Sequence, residues 1–154
     1  RIGGTLAAEA LRIIAPAAWD RTPALRNFSA EVRFPVSSDL MWQVVQYSPL
    51  NYPRGQDRTV GVLVNLIELG SARILTIPGE ALPNIGFYLK RKMGGRHNFL
   101  FGLTNDAFGY ILTKVDFDSF KAYEYISRVS LGEMTGEIYI ENALKLVEKA
   151  ANSR

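Results

Sequence analysis

The sequence predicts an α/β fold, with a mixed β-sheet, a β-α-β crossover and flanking helices, on three observations. Apolar residues recur with a helical period near both ends of the chain, over 2–14 and 135–152. Between them stand runs of strand length rich in Val, Leu, Ile and Phe, at 28–36, 59–69, 72–77 and 98–103. The last two runs flank a helical pattern over 81–93, and a strand, helix and strand in that order imply a right-handed parallel crossover.

Each element has its own signal. Ile2, Leu6, Ala10, Ile13 and Ile14 share one face of the first helix, which Pro16 stops. From Phe28 to Val36, Ala30, Val32 and Phe34 alternate with Ser29, Glu31 and Arg33, as in a half-buried strand, and Pro35 belongs at a sheet edge or boundary. Ser38 and Asp39 suit the start of a short helix through Tyr47, after which Pro49, Pro53, Gly55 and Asp57 predict an irregular, exposed segment. Thr59 to Leu69 reads as a long strand, joined through Gly70-Ser71 to the next in an antiparallel hairpin. The 81–93 helix ends in Lys90-Arg91-Lys92, where a helix C-terminus favours cations, and Gly94-Gly95 stops it. In the last helix Ile140, Ala143, Leu144, Val147 and Ala151 form the expected inward stripe, and Glu141 stands four before Lys145.

Composition narrows the function classes. A chain of 154 residues, 47% hydrophobic, suits one domain with a sizeable core. Eighteen basic against fifteen acidic residues leave a net charge of only +3, spread along the chain, and no nucleic-acid partner is expected. Cysteine is absent, which excludes disulfides, thiolate zinc sites and cysteine nucleophiles. No apolar run approaches the roughly 20 residues of a membrane helix, and no signal peptide is seen in these residues. The chain starts at Arg1 instead of methionine, so it is expected to be a piece of a longer product.

Chemistry concentrates where two apolar runs end. Ile74-Leu75-Thr76-Ile77 runs into Pro78-Gly79-Glu80, and the second run ends in Thr104-Asn105-Asp106 before Gly109-Tyr110. Ligands in open α/β sheets collect beyond the carboxyl ends of the strands. If the two runs are parallel neighbours, Glu80 and Tyr110 meet there. Glu80 at a helix start would be held as an anion, available as a ligand or base, although acidic residues also occupy first turns merely to satisfy backbone N–H groups. Tyr110 becomes useful when a cation lowers a phenol from about 10, although tyrosines commonly fill cores and interfaces. His97, the single histidine, is expected at the opposite end of the sheet in a surface or turn role. No Walker motif, Rossmann fingerprint, nucleophile elbow or His-Glu-x-x-His occurs.

These motifs resemble the neutral/alkaline (non-lysosomal) ceramidase family of zinc-dependent amide hydrolases. The weaker matches are the opening Ile2-Gly3-Gly4-Thr5-Leu6-Ala7-Ala8-Glu9-Ala10-Leu11 and Val32-Arg33-Phe34-Pro35. The more specific are Pro78-Gly79-Glu80 with Gly86-x-x-Leu89-Lys90, Gly102-Leu103-x-Asn105-x-x-x-Gly109-Tyr110-Ile111-x-Thr113, and Tyr123-Glu124 with Ser127, all in family order. The resemblance implies that Glu80 and Tyr110 bind the zinc and that Tyr123 stabilises the oxyanion beside the scissile amide. Two features depart: the spacer Lys114 to Ala122 is one residue longer, and the segment after Glu124 reads Tyr125-Ile126-Ser127-Arg128-Val129.

The family's zinc site also needs two histidines and upstream serine machinery, for which this chain has no equivalent, and one carboxylate plus one phenol is fewer than the three protein ligands of a catalytic zinc. The chain is therefore expected to be the C-terminal half of a catalytic domain. The missing N-terminal half, on the same gene product or a separate chain, would bring the histidines, and an N-acyl, ceramide-like amide would be the substrate. The resemblance leaves a secreted or membrane-surface setting open. Two other readings stand beside it. One is a scaffold or interaction domain that keeps the fold without a complete metal site, with an apolar surface exposed where the other half would pack. The other is a metal-independent small-molecule binding module using the same crevice.

Overall fold

The computed structural model describes residues 1–153, and among them it forms five α-helices and six strands. Helix α1 spans Ile2–Ile14 and strand β1 Leu25–Pro35. Helix α2, Asp39–Tyr47, is capped by Ser38, whose Oγ accepts the Met41 N–H at 3.3 Å. Strands β2, Thr59–Leu69, and β3, Ala72–Thr76, are joined by a turn in which Gly70 has φ +55°. Then follow β4, Glu80–Ala81, α3, Pro83–Lys92, and β5, His97–Phe101. Strand β6, Tyr110–Ile111, a 3-10 turn at Lys121–Tyr123, α4, Glu124–Arg128, and α5, Thr135–Asn152, complete the order.

The main sheet has the order β1-β2-β3-β5, antiparallel except for the parallel pair β3 and β5, and a separate parallel pair joins β4 to β6. The α/β fold with a mixed sheet, the hairpin and the crossover stand as the sequence predicts. Helix α5 lies across β1 and β2, and α3 lies against β5 and α5, so both cover the same face. Into that face point Val32 and Phe34 of β1, Val60, Val64 and Leu66 of β2, and Leu75 of β3, meeting Ile85 and Leu89 of α3 and Tyr139, Ala143 and Leu146 of α5, all buried. Among the described helices, α3 and α5 are the ones that pack extensively on the sheet.

Two expectations are corrected. The buried stripe of α5 is Thr135, Gly136, Tyr139, Ala143, Leu146 and Ala150, turned from the expected one. Ile140, Leu144 and Val147 are half-buried and Ala151 is exposed. The cause is Tyr139, which is fully buried and donates its hydroxyl to the Thr76 carbonyl at 3.0 Å, fixing the rotation of the helix. The segment after α2 is not simply exposed: Tyr52 is half-buried, its ring 4.8 Å from that of Phe108 and its hydroxyl donating to Asp106 at 3.0 Å. Helix α1 has the expected bounds and buries none of its residues.

At the end of the sheet where the helices terminate, the inward face closes with a cross-strand row of charges. Arg26, Glu68 and Arg73 are register neighbours on β1, β2 and β3. Arg73 Nε donates to Glu68 Oε1 at 2.8 Å, and Arg26 pairs with Glu68 Oε2. The two guanidiniums also donate to helix-end carbonyls, Arg73 to Met93 and Arg26 to Ser153, where helix dipoles favour cations. Glu68→Gln leaves two guanidiniums facing a neutral group, and an unfolding free energy lower by about 3 kcal/mol is expected in denaturant titrations.

Burial raises the Tyr139 phenol above its ordinary value of 10.0. An acid whose folded pKa is raised contributes stability that is complete below the unfolded pKa and is lost as pH rises above it. Tyr139→Phe is therefore expected to cost about 1 kcal/mol at pH 8 through the lost hydrogen bond. The gap between variant and wild type should narrow as unfolding is followed above pH about 10.

Candidate functional site

The chain leaves the carboxyl ends of β3 and β5 at the same edge and keeps pairing after the main sheet stops. Ile77 N–H donates to Phe101 O at 2.8 Å, Thr104 N–H to Ile77 O at 3.0 Å, Leu103 N–H to Gly79 O at 3.0 Å and Phe108 N–H to Pro78 O at 2.9 Å. This zipper delivers β4 beside β6, where Glu80 N–H donates to Gly109 O at 2.9 Å and Leu82 N–H to Ile111 O at 3.1 Å. Glu80 and Tyr110 are register partners in that pair. Registered residues of parallel strands, about 4.8 Å apart, project from one face. The structure thus brings the two residues side by side, Glu80 exposed and Tyr110 half-buried.

Two glycines permit the approach. A Cβ on Gly79 would meet Gly109 O, and a Cβ on Gly109, whose φ is +65°, would overlap Val129 O. The intervening loop is pinned by Asn105, in the left-handed region at φ +70°, as is Leu103 at φ +51°. Asn105 Nδ2 donates to Leu63 O at 2.8 Å and to Asn65 Oδ1 at 2.7 Å, while Asn65 Nδ2 donates to Ser29 Oγ at 2.6 Å. A chain of amides thus ties the loop to the open face of the sheet. On the loop's other side Tyr52 holds Asp106, and the phenol is raised by burial and then by that carboxylate.

The origin of Glu80's position differs from expectation. Helix α3 begins at Pro83 and its first turn contains no acidic residue, so the β4–β6 ladder, not the helix, holds Glu80. Tyr123 lies half-buried in the 3-10 turn with its ring 5.5 Å from that of Phe120, edge-on. The ring packed edge-on against Tyr110, at 6.0 Å, is that of Tyr125, which stands in the segment that departs from the family pattern. His97 is exposed at the start of β5, opposite Ala72, at the far end from Glu80. The pinning role of Asn105, a residue already quoted in its Thr-Asn-Asp turn, had a signal there, since asparagine tolerates the left-handed region.

A carboxylate and a phenol offer two oxygen donors, of which the carboxylate is an ordinary zinc ligand. Among the described residues no group of three His, Cys, Asp or Glu side chains comes together to hold a metal. These two oxygen donors are fewer than the three protein ligands of a catalytic zinc.

No protein-family model and no curated protein matches the sequence. Solved structures do. One, described as "Ceramidase complexed with C2", is 20% identical with a TM-score of 0.54, the match covering 60% of this chain and 15% of that one. Another, the neutral ceramidase from Pseudomonas aeruginosa, is 20% identical with a TM-score of 0.50, covering 57% and 15%. The chain shares the fold of part of these ceramidases and spans a small fraction of their length.

Gly109→Ala tests the close approach. It is expected to lower stability by more than about 1 kcal/mol and to weaken hydrogen-exchange protection of the Glu80 and Leu82 amides. Gly86→Ala, where the added Cβ would stand 3.4 Å from Leu100 Cδ1 inside α3, should be near-neutral or stabilising.

Proposed function

We propose that this chain is part of a zinc-dependent amidohydrolase resembling neutral ceramidase, in which Glu80 and Tyr110 are two ligands of the metal. The reading rests above all on one observation: these two oxygen donors are register partners beyond the carboxyl ends of β3 and β5, in a fold shared with ceramidases. Zinc bound there would polarise an amide carbonyl as a Lewis acid and lower the pKa of a bound water. Glu80 supplies the anionic donor, standing exposed at the ladder's end. Tyr110 is buttressed on one side by the Tyr125 ring and aligned through its backbone pairing with β4. Tyr123, in the 3-10 turn that leads into α4, is proposed to donate its hydroxyl to the oxyanion of the tetrahedral species. The substrate is proposed to be an N-acyl, ceramide-like amide, and the two missing ligands to be histidines of polypeptide outside these residues.

Zinc titration of the chain with and without the polypeptide encoded upstream tests the reading. Tight binding is expected only with both parts, and Glu80→Ala or Tyr110→Phe should weaken it by more than the roughly 10–100-fold that loss of an outer-shell partner costs. Equal affinity in wild type and Glu80→Ala overturns the zinc assignment and leaves a scaffold or interaction domain as the better description.

A further inference from the structure

We infer that Thr76, the last residue of β3, is a positioning residue for the Glu80–Tyr110 pair, and that its buried hydroxyl is the joint between the two arms that carry them. The inference rests on the zinc reading above for its metal, and on hydrogen bonds alone for its geometry. The antiparallel register of β2 with β3 ends at Leu66 opposite Leu75, and the next step would set Asn65 against Thr76. There a side chain takes over from the ladder: Asn65 N–H donates to Thr76 Oγ1 at 2.8 Å. The Thr76 carbonyl accepts the Tyr139 hydroxyl of α5 at 3.0 Å. The strand end is thus held by β2 and by α5 at once, four residues before Glu80. Pro78, with its φ fixed by the ring, stands between them, so little backbone freedom separates Thr76 from Glu80.

The second arm meets the same hydroxyl. Asn105, in the loop that leads to Tyr110, donates its Nδ2 to Thr76 Oγ1 at 3.4 Å, to Asn65 Oδ1 at 2.7 Å and to Leu63 O at 2.8 Å. Thr76 Oγ1 in turn donates to Asn65 O at 3.5 Å. A hydroxyl has one donor and two acceptor lone pairs, and Thr76 uses all of them. The Asn65 amide is oriented from β1, since its Nδ2 donates to Ser29 Oγ at 2.6 Å and to Asn27 Oδ1 at 3.2 Å, which leaves its Oδ1 for Asn105. A buried polar network satisfied in this way holds a single arrangement. Thr76 and Asn65 are buried and Asn105 is exposed, so the network runs from the interior out to the loop. Removing the hydroxyl leaves Asn65 N–H buried without a partner and releases Asn105 from β3. Both arms of the site then lose the one group they share.

Zinc titration and amide hydrogen exchange on the full-length gene product test the joint. Thr76→Val keeps the shape and removes the hydroxyl, Thr76→Ser restores it, and Asn105→Gly removes the amide at a position whose φ of +70° suits glycine. Glu68→Gln, at the far end of the sheet, is the control for stability lost elsewhere. Thr76→Val and Asn105→Gly are expected to weaken zinc binding by about ten-fold or more, the scale of an outer-shell loss, with Thr76→Ser and Glu68→Gln close to wild type. The Glu80 and Leu82 amides, which make the β4–β6 bonds, should exchange about ten-fold faster in the same two variants and not in the control. Unchanged exchange at Glu80 and Leu82 in Thr76→Val overturns the inference, and so does wild-type zinc affinity. A loss that Thr76→Ser does not rescue also overturns it, by assigning the effect to packing, as does an equal loss in Glu68→Gln, which assigns it to global stability. Should Thr76→Val fail to fold, Asn105→Gly decides by the same measurements. Should the wild type show no Glu80-dependent zinc, the zinc reading falls and exchange alone decides: faster opening at Glu80 and Leu82 upholds the joint, and equal opening sinks it.

Discussion

The hydrogen bond from Ile77 N–H to Phe101 O, 2.8 Å long, extends the parallel ladder of β3 and β5 one step past the main sheet, and the rest of the candidate site hangs from it. Parallel pairing obliges the chain to cross over through α3, which must lie on one face, and sends both strand exits out at one edge. Once there, the two exits have unpaired backbone groups that need partners. They find them in each other, residue by residue, until Glu80 and Tyr110 stand in register. The juxtaposition of a carboxylate and a phenol is thus a backbone property, and side chains enter only as permissions. Gly79 and Gly109 leave room, and Asn105 accepts a backbone geometry that most residues avoid.

The two ends of the sheet are built on opposed principles. Where α3 and α5 terminate, Arg26, Glu68 and Arg73 form a row of ion pairs that reaches the helix-end carbonyls of Met93 and Ser153. Charge, dipole and hydrogen bond all agree there. At the other end Leu103 and Asn105 hold positive φ angles without being glycine, and Tyr52 and Asn65 fasten the loop from two sides. Unfavourable backbone conformations persist only where surroundings over-determine them, and they gather at functional sites. Positive φ is not confined to this loop, since Asn51, Arg58 and Asp118 also hold it.

Much of this architecture was legible because it is periodic. The strand at 59–69 and the helices at 2–14 and 39–47 carry enough alternation, helical spacing or capping to fix their bounds. Strands β4 and β6 have two residues each and no period to read. Their pairing was reachable only through turn chemistry, from Pro-Gly on one side and Thr-Asn-Asp on the other. The face of α5 is not legible from spacing because tyrosine suits a surface as well as a core, while the Tyr139 hydroxyl has a buried carbonyl to bond. The contacts of Tyr52 and Tyr125 are not legible for a related reason. Their contacts, with Asp106 and Phe108 and with Tyr110, join segments far apart in sequence or separated by an irregular connection, and local spacing does not encode them.

The incomplete donor set bears directly on the proposed reading. A metal site of two oxygen donors at a sheet edge lacks both the ligand count zinc requires and the dry enclosure that makes its charge effective. On that reading polypeptide outside these residues supplies both, beside a ladder whose close approach Gly79 and Gly109 permit and whose loop Asn105 pins.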